Sequence, residues 1–313
     1  MTTSILAGLF RVLVFPGLLF TAIAGMAASW VDRKVTARVQ WRVGPPLLQP
    51  VYDFVKLLGK EVIVPRGASR VAFLGAPLVG LAGVTFAAAL TGSAAMSPGA
   101  GFTGDVVVLL YLLVLPSLAV IMGGAASVNP LASVGASREM KLVLSYELPF
   151  ILVMLVPIIR SGGLLSLGEL LRYQAENGAF LWSASGLLAL LAAIPCLQAK
   201  LALVPFDQAE AETEIMGGAL IEYSGAPLAV FRLTKAMMLI VAPAFLVVVL
   251  WGGFGASVAS ALFGVGKYLV LLVIAILVRN TNPRVRIEHA MRFFWGPVTG
   301  LALLAVVLAL LGV

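Results

Sequence analysis

The chain has 313 residues, 61% of them hydrophobic and only 11% charged, with a mean hydropathy of +1.07. A soluble domain holds about 45–50% apolar and about 25% charged residues, so a soluble globular enzyme is all but excluded, and this apolar content also excludes disorder. The net charge of +7, from 21 Lys and Arg against 14 Asp and Glu, comes without interleaved basic and aromatic residues, so it reports membrane topology and not nucleic-acid binding.

What remains is an all-α, polytopic membrane protein. Windows of about 20 apolar residues predict eight spans, near residues 7–31, 71–92, 105–127, 141–160, 183–204, 225–250, 261–279 and 294–312. They form one membrane domain over 1–313. No basic residue precedes Arg11 and the first apolar run is too long for a signal peptide, so it counts as a span. The loop after it, 32–70, carries Arg33, Lys34, Arg38, Arg42, Lys56, Lys60, Arg66 and Arg70. Gly44-Pro45-Pro46 breaks this loop. Beyond the break, apolar residues at 51, 54, 55 and 58 follow the i, i+3, i+4, i+7 pattern of an amphipathic helix. Such a helix suits the membrane interface or a partner subunit. The loop after the third span holds Arg138 and Lys141, and the loop after the seventh holds Arg279, Arg284, Arg286 and Arg292. Loops on the other side hold only Arg160, Arg172 and Lys267. The basic loops are therefore expected in the cytoplasm, with both termini outside the cell membrane. No repeat of about 20–50 residues is visible, which counts against solenoids and repeat-built transporters.

Ionisable residues near a bilayer are costly and usually have a reason. Glu147, in Ser145-Tyr146-Glu147 of the fourth span, should face a cavity or a partner; a salt bridge to Lys141 or Arg138 is the plain alternative. In the fifth span, Cys196 reads as packing and Lys200 as a snorkelling cation. The segment 205–224 is the most informative. It carries Asp207, Glu210, Glu212, Glu214 and Glu222 with no basic residue among them. On a helix, Asp207, Glu210 and Glu214 would share a face. Like charges that close would not all stay ionised, which is the state a proton relay needs. A solvated acidic loop is the plain reading. Arg232 and Lys235 either balance these acids or snorkel to the cytoplasmic face. Asp105 and Arg160 read as anchors at the outer interface, Gly217-Gly218 as a helix break, and His289 as an ordinary surface histidine. One cysteine excludes a disulfide framework, and with one histidine a self-contained metal or haem site is not expected. No phosphate-cradling loop or nucleophile–base pair is present, so the chain itself reads as non-catalytic and free of cofactors.

These pieces resemble the NADH-dehydrogenase subunit 1 family of the complex I superfamily. The resemblance is carried by Asp32-Arg33-Lys34-Val35-Thr36-Ala37-Arg38-Val39-Gln40-Trp41-Arg42-Val43-Gly44-Pro45, then Leu47-Leu48-Gln49-Pro50 and Lys56-Leu57-Leu58-Gly59-Lys60-Glu61. Ser145-Tyr146-Glu147 follows, then Pro205-Phe206-Asp207 through to Glu222-Tyr223-Ser224-Gly225, and finally Arg284-Val285-Arg286-Ile287-Glu288. They occur in family order over nearly the whole chain. Gly44-Pro45-Pro46 runs almost directly into Leu47-Leu48-Gln49-Pro50, where respiratory members carry a longer insert. With Ala136-Ser137-Arg138-Glu139-Met140-Lys141-Leu142, Glu212-Thr213-Glu214-Ile215-Met216-Gly217-Gly218 and Asn282-Pro283-Arg284, this looks more like the membrane-bound, energy-converting NiFe hydrogenases. The resemblance implies that Glu147, Asp207, Glu210, Glu212, Glu214 and Glu222 form an acidic funnel on a proton path. It implies that the first cytoplasmic loop docks the redox arm through Arg33, Lys34, Arg38, Arg42, Gln49 and Lys56. The implied partners are a NiFe-hydrogenase-like large subunit, an iron–sulfur small subunit and antiporter-like membrane subunits. The NiFe centre and the iron–sulfur clusters would sit in those partners, and no quinone site is implied in that branch. A quinone-reducing complex I subunit, a stand-alone proton-coupled transporter and a purely structural anchor are the competing expectations.

Overall fold

The computed structural model describes residues 2–97, 101–255 and 257–313, apart from the side chains of 2–5, 212 and 213. Among the described residues all regular structure is helical. Seven helical stretches are long and apolar enough to cross a membrane, and an eighth, Ala184–Lys200, is apolar but shorter.

The first stretch is two helices, α1 (Thr2–Leu13) and α2 (Leu18–Val39). Pro16, which has no N–H to donate, interrupts the predicted span 7–31. No Gly or Pro follows the apolar stretch until Gly44, so α2 runs on past it. Arg33, Lys34 and Arg38 therefore sit on its last turns and not in a loop, and the connecting loop begins at Gln40. The amphipathic helix is present as α3 (Gln49–Leu58). It buries Pro50 and Leu57 against α2 and α11 and leaves Val51, Val55 and Leu58 exposed.

The second span is α4 (Arg70–Met96). The third is split into α5 (Asp105–Leu112) and α6 (Leu115–Ala126), with Pro116 in the first turn of α6. The fourth is α7 (Pro130–Arg160), capped by the Asn129 side chain on the Leu131 N–H. Its 31 residues reach about 46 Å at 1.5 Å per residue, against a hydrocarbon core of about 30 Å. Its first turns therefore stand beyond the predicted span 141–160. An unpredicted amphipathic helix, α8 (Leu167–Asn177), follows and buries Leu167, Leu170, Leu171 and Gln174. The predicted span 183–204 ends early, as α9 (Ala184–Lys200). Then come α10 (Glu212–Ile215), α11 (Gly225–Leu250), α12 (Val258–Thr281), α13 (Ile287–Phe293) and α14 (Thr299–Leu310). A π-helical stretch, Phe294–Val298, joins α13 and α14 around Pro297.

The central helix is α11, whose apolar window is 78% buried; α2, α3, α4, α8, α9 and α12 pack on it. Helices in lipid gain little from apolar burial against one another and associate through close packing of small residues. Gly25 of α2 lies so near α11 that a Cβ would sit 2.7 Å from the Ala236 carbonyl oxygen. Gly80 and Gly83 of α4 approach α6 in the same way, at Ala119 and Leu115. The bundle leaves one end carrying α3, the starts of α4, α7, α11 and α13, and the irregular segment 201–224. The Ser224 hydroxyl donates to the Glu61 carbonyl and accepts from the Ile63 N–H, and Arg279 donates to Asp32; these bonds tie that end together.

Gly135 sets how closely segment 201–224 lies on α7: a Cβ there would be 2.5 Å from the Ala219 nitrogen and 2.8 Å from the Ala209 oxygen. Gly135→Val should lower stability by about 1–3 kcal/mol through overpacking, with Gly135→Ala in between. Thermal denaturation in detergent measures this, and an unchanged midpoint for the valine variant would contradict such close packing.

Candidate functional site

Segment 201–224 is not one helix. It consists of a 3-10 turn at Gln208–Glu210, the short α10 and a second 3-10 turn at Gly218–Leu220. Asp207, Glu210 and Glu214 therefore do not share a helix face. Val204-Pro205-Phe206-Asp207 turns away from the end of α9, and Gln198 holds that turn by donating to the carbonyls of Val204 (2.6 Å) and Ala275 (3.2 Å). Farther on, the Gln208 amide donates to the Val285 carbonyl, and the Val285 N–H donates to Pro205 (3.2 Å). These bonds place Arg284 beside Asp207.

The expected crowding of unpaired carboxylates is not what the segment does. Each described acid has its own partner on a different element. Arg284 binds Asp207 with two nitrogens, at 2.8 and 2.5 Å, a fork that fixes orientation as well as charge. Lys235 of α11 binds Glu210 at 2.9 Å, and Arg138 of α7 binds Glu214 at 2.5 Å. Asn129, before α7, donates to Glu222 at 2.5 Å. The Glu212 side chain lies outside the described ones. Lys235 thus balances the acids, as one of its two readings held. Arg232, the other cation of that pair, stands beside Asp53.

Glu147 is bound by neither Lys141 nor Arg138. Its partner is Lys200, at 2.8 Å, whose side chain is 0% exposed against 21% for Glu147. Lys200 is therefore buried and does not snorkel; its ammonium also lies over the rings of Phe150 (4.4 Å) and Tyr146 (5.1 Å). The predicted anchor Asp105 is buried as well and accepts the Leu167 N–H at the start of α8. His289 is exposed and Cys196 buried, as expected.

A cavity of about 770 Å³ opens among these groups. Asp32, Arg33, Asp207, Glu210, Arg232, Lys235, Arg279 and Arg284 line it, with Leu203, Leu220, Phe231 and Leu239 as apolar wall. Glu147 is not on its lining. Of the docking residues, Arg33 binds Asp53 of α3 at 2.7 Å, and Gln49 donates to the same carboxylate at 2.9 Å. The Arg33 hydrogen bond, opposed by partial burial, holds the Asp53 carboxyl below its ordinary pKa. Arg38, Arg42 and Lys56 are exposed, and Lys34 is half-buried. Tyr223 stacks on Phe73 and donates to its carbonyl at 2.8 Å, and burial pushes its phenol pKa up.

Three charged groups at the site were not singled out in sequence. Asp32 and Arg279 pair across α2 and α12 at 2.6 Å. Glu139 of α7 is 2% exposed, and its Oε2 has no hydrogen-bond partner. Glu139 and Tyr146 stand seven residues apart, two helical turns on one face, and that spacing was the available signal.

Removing one member of a buried ion pair strands the other. Lys200→Met should therefore cost about 3–5 kcal/mol. Lys200→Met with Glu147→Gln should recover most of that loss, since no lone charge remains. Thermal melts of both variants decide it; equal losses would mean that the pairing carries no stability.

The family model described as NADH dehydrogenase matches residues 11–310. A subunit of the NADH-quinone oxidoreductase of Thermomicrobium roseum is 34% identical over 316 residues, covering 91% of each chain. NADH-quinone oxidoreductase subunit 8 of Thermus thermophilus is 34% identical, covering 93% of this chain and 82% of its own. Among solved structures, a chain of the membrane-bound sulfane sulfur reductase, an archaeal respiratory membrane complex, superposes with a TM-score of 0.80 at 28% identity, covering 96% of this chain and 99% of that one. An all-helical bundle, matched over nearly its whole length by sequence and by shape, belongs to the NADH dehydrogenase subunit 1 family.

Proposed function

We propose that this chain is the membrane-anchoring, ion-coupling subunit of a complex I-like, energy-converting hydrogenase in the cell membrane. The observation that carries this reading is the ring of ion pairs around the cavity. Carboxylates of one irregular segment are held from α7 and its cap, from α11 and from the connection between α12 and α13, so a change of charge at the cavity mouth is felt by several elements at once. In this reading Glu147, Asp207, Glu210, Glu212, Glu214 and Glu222 make up the proton path, and the end bearing α3 faces the cytoplasm. The exposed Arg33, Arg38, Arg42 and Lys56, with the half-buried Lys34 and Gln49, receive the redox arm. The NiFe centre and iron–sulfur clusters belong to a large and a small partner subunit, and antiporter-like membrane subunits move protons or sodium. Coupling of this kind joins two sites through a shared set of states.

A second reading replaces hydrogen evolution by sulfur reduction and is favoured by the sulfane sulfur reductase as structural neighbour. The complex isolated in mild detergent through a tag on this chain should contain nickel and evolve hydrogen from a low-potential donor. Iron without nickel, together with sulfide release from a polysulfide, would select the second reading; quinone reduction would place the chain with its quinone-reducing relatives.

The path itself is tested by Glu147→Gln and Glu214→Gln. Ion translocation per electron in proteoliposomes should fall at least about tenfold, since a positioned proton-transfer group contributes that much or more, while assembly survives. Full coupling in both variants would leave the chain as an anchor.

A further inference from the structure

Every described acid of segment 201–224 is tied to a cation or an amide, and so is Glu147. Glu139 is the exception. It is 2% exposed, its Oε2 lacks a hydrogen-bond partner, and it forms no ion pair among the described residues. It stands one turn along α7 from Gly135, on the same side. Gly135 is where the carbonyl of Ala209 and the nitrogen of Ala219 press against the helix. Glu139 thus lies just beneath the acidic segment, and the charges of Glu210 and Lys235 act on it. On its other side the Ser117 hydroxyl of α6 faces the carboxyl. That hydroxyl lies 3.4 Å from the Tyr146 hydroxyl, and the Lys200 ammonium lies 5.1 Å from the centre of the Tyr146 ring. Buried hydroxyls and a carboxyl therefore run between two ion pairs that no direct contact joins.

We propose that Glu139 is an additional proton-holding site, set between the Glu210–Lys235 pair at the cavity and the internal Lys200–Glu147 pair, with the Ser117 and Tyr146 hydroxyls as its bridge. The proposal rests on the proton-coupling reading above. A buried carboxyl without a fixed counter-ion sets its charge by holding or releasing a proton, whereas its paired neighbours have their charge answered by a cation. Uptake converts the carboxylate to the neutral acid without any change in electron count. Release moves protons in one concerted shift: that proton passes to the Ser117 oxygen, the Ser117 hydroxyl proton to the Tyr146 oxygen, and the Tyr146 hydroxyl proton, through a water molecule, to the Glu147 carboxylate, so that the Glu139 carboxylate is restored and both hydroxyls stay neutral. A proton arriving at or leaving Glu139 changes the field at Tyr146, on which Glu147 also acts.

The test uses the whole complex in proteoliposomes, driven by a chemically reduced viologen, with ions moved per electron as the readout. Glu139→Gln should lose coupling about tenfold, and Glu139→Asp should regain part of it. In redox-difference infrared spectra, a protonated-carboxyl band sensitive to deuterium should be present in the parent and absent in Glu139→Gln, a change that a merely structural role would not produce. Retained coupling in Glu139→Gln, beside its loss in Glu147→Gln and Glu210→Gln, overturns the role of Glu139 and leaves the wider reading standing. Retained coupling in all three overturns both. Should Glu139→Gln fail to assemble, Ser117→Ala is read on the same scale: lowered coupling supports the bridge and unchanged coupling overturns it.

Discussion

The structure depends on the cost of placing charge near a medium that cannot solvate it. An isolated ion inside a bundle is tolerated only with a partner at hydrogen-bond distance, and this chain meets that demand between segments that are far apart in sequence. Lys200 answers Glu147 from another helix, Arg284 answers Asp207 across 77 residues, and Arg279 answers Asp32 across 247. The irregular segment 201–224 is tied to its surroundings by the Arg284–Asp207 pair together with Lys235–Glu210 and Arg138–Glu214.

The pairing also divides the charged residues into two kinds. Acids on the cavity lining meet cations also on that lining, and the cations outnumber the acids, five to three, around a polar space beside an apolar wall. Glu147 and Lys200 form a pair deeper in the bundle, against aromatic faces. What lies between the two regions is a short stretch of α7 and α6 whose buried side chains carry hydroxyl and carboxyl groups but no cation. The small residues that bring α4 close to α6 and segment 201–224 close to α7 determine where that stretch lies.

Much of the fold was legible because apolar length and the 3.6-residue period are local signals. The eight apolar stretches and the helix at 51–58 are of this kind. Boundaries were less legible where hydropathy and helicity part company: the charged turn Asp32–Arg38 is helical because nothing breaks it, and α7 begins eleven residues before its apolar window. Pro16 and Pro116 were visible punctuation inside apolar runs, and reading the runs as single spans overlooked them. At the site, residue types pointed correctly to a cluster of carboxylates. Its internal geometry was not legible, because each partner comes from elsewhere in the chain and no period or spacing encodes Arg138 with Glu214 or Lys200 with Glu147. Glu139 entered the sequence reading only as part of the motif Ala136–Leu142, without a role of its own. Its burial follows from how deeply α7 is seated under segment 201–224.

The order of the pairs along the chain bears on biogenesis. The acidic segment is synthesised after Asn129 and Arg138 but before Lys235 and Arg284, which it also needs. While the ribosome is still completing α11 to α13, Asp207 and Glu210 have no counter-ion, and burying them would strand two charges. Segment 201–224 has its full set of counter-ions only once residue 284 has emerged. The connection between α12 and α13 thus supplies the last counter-ion to a segment made some eighty residues earlier.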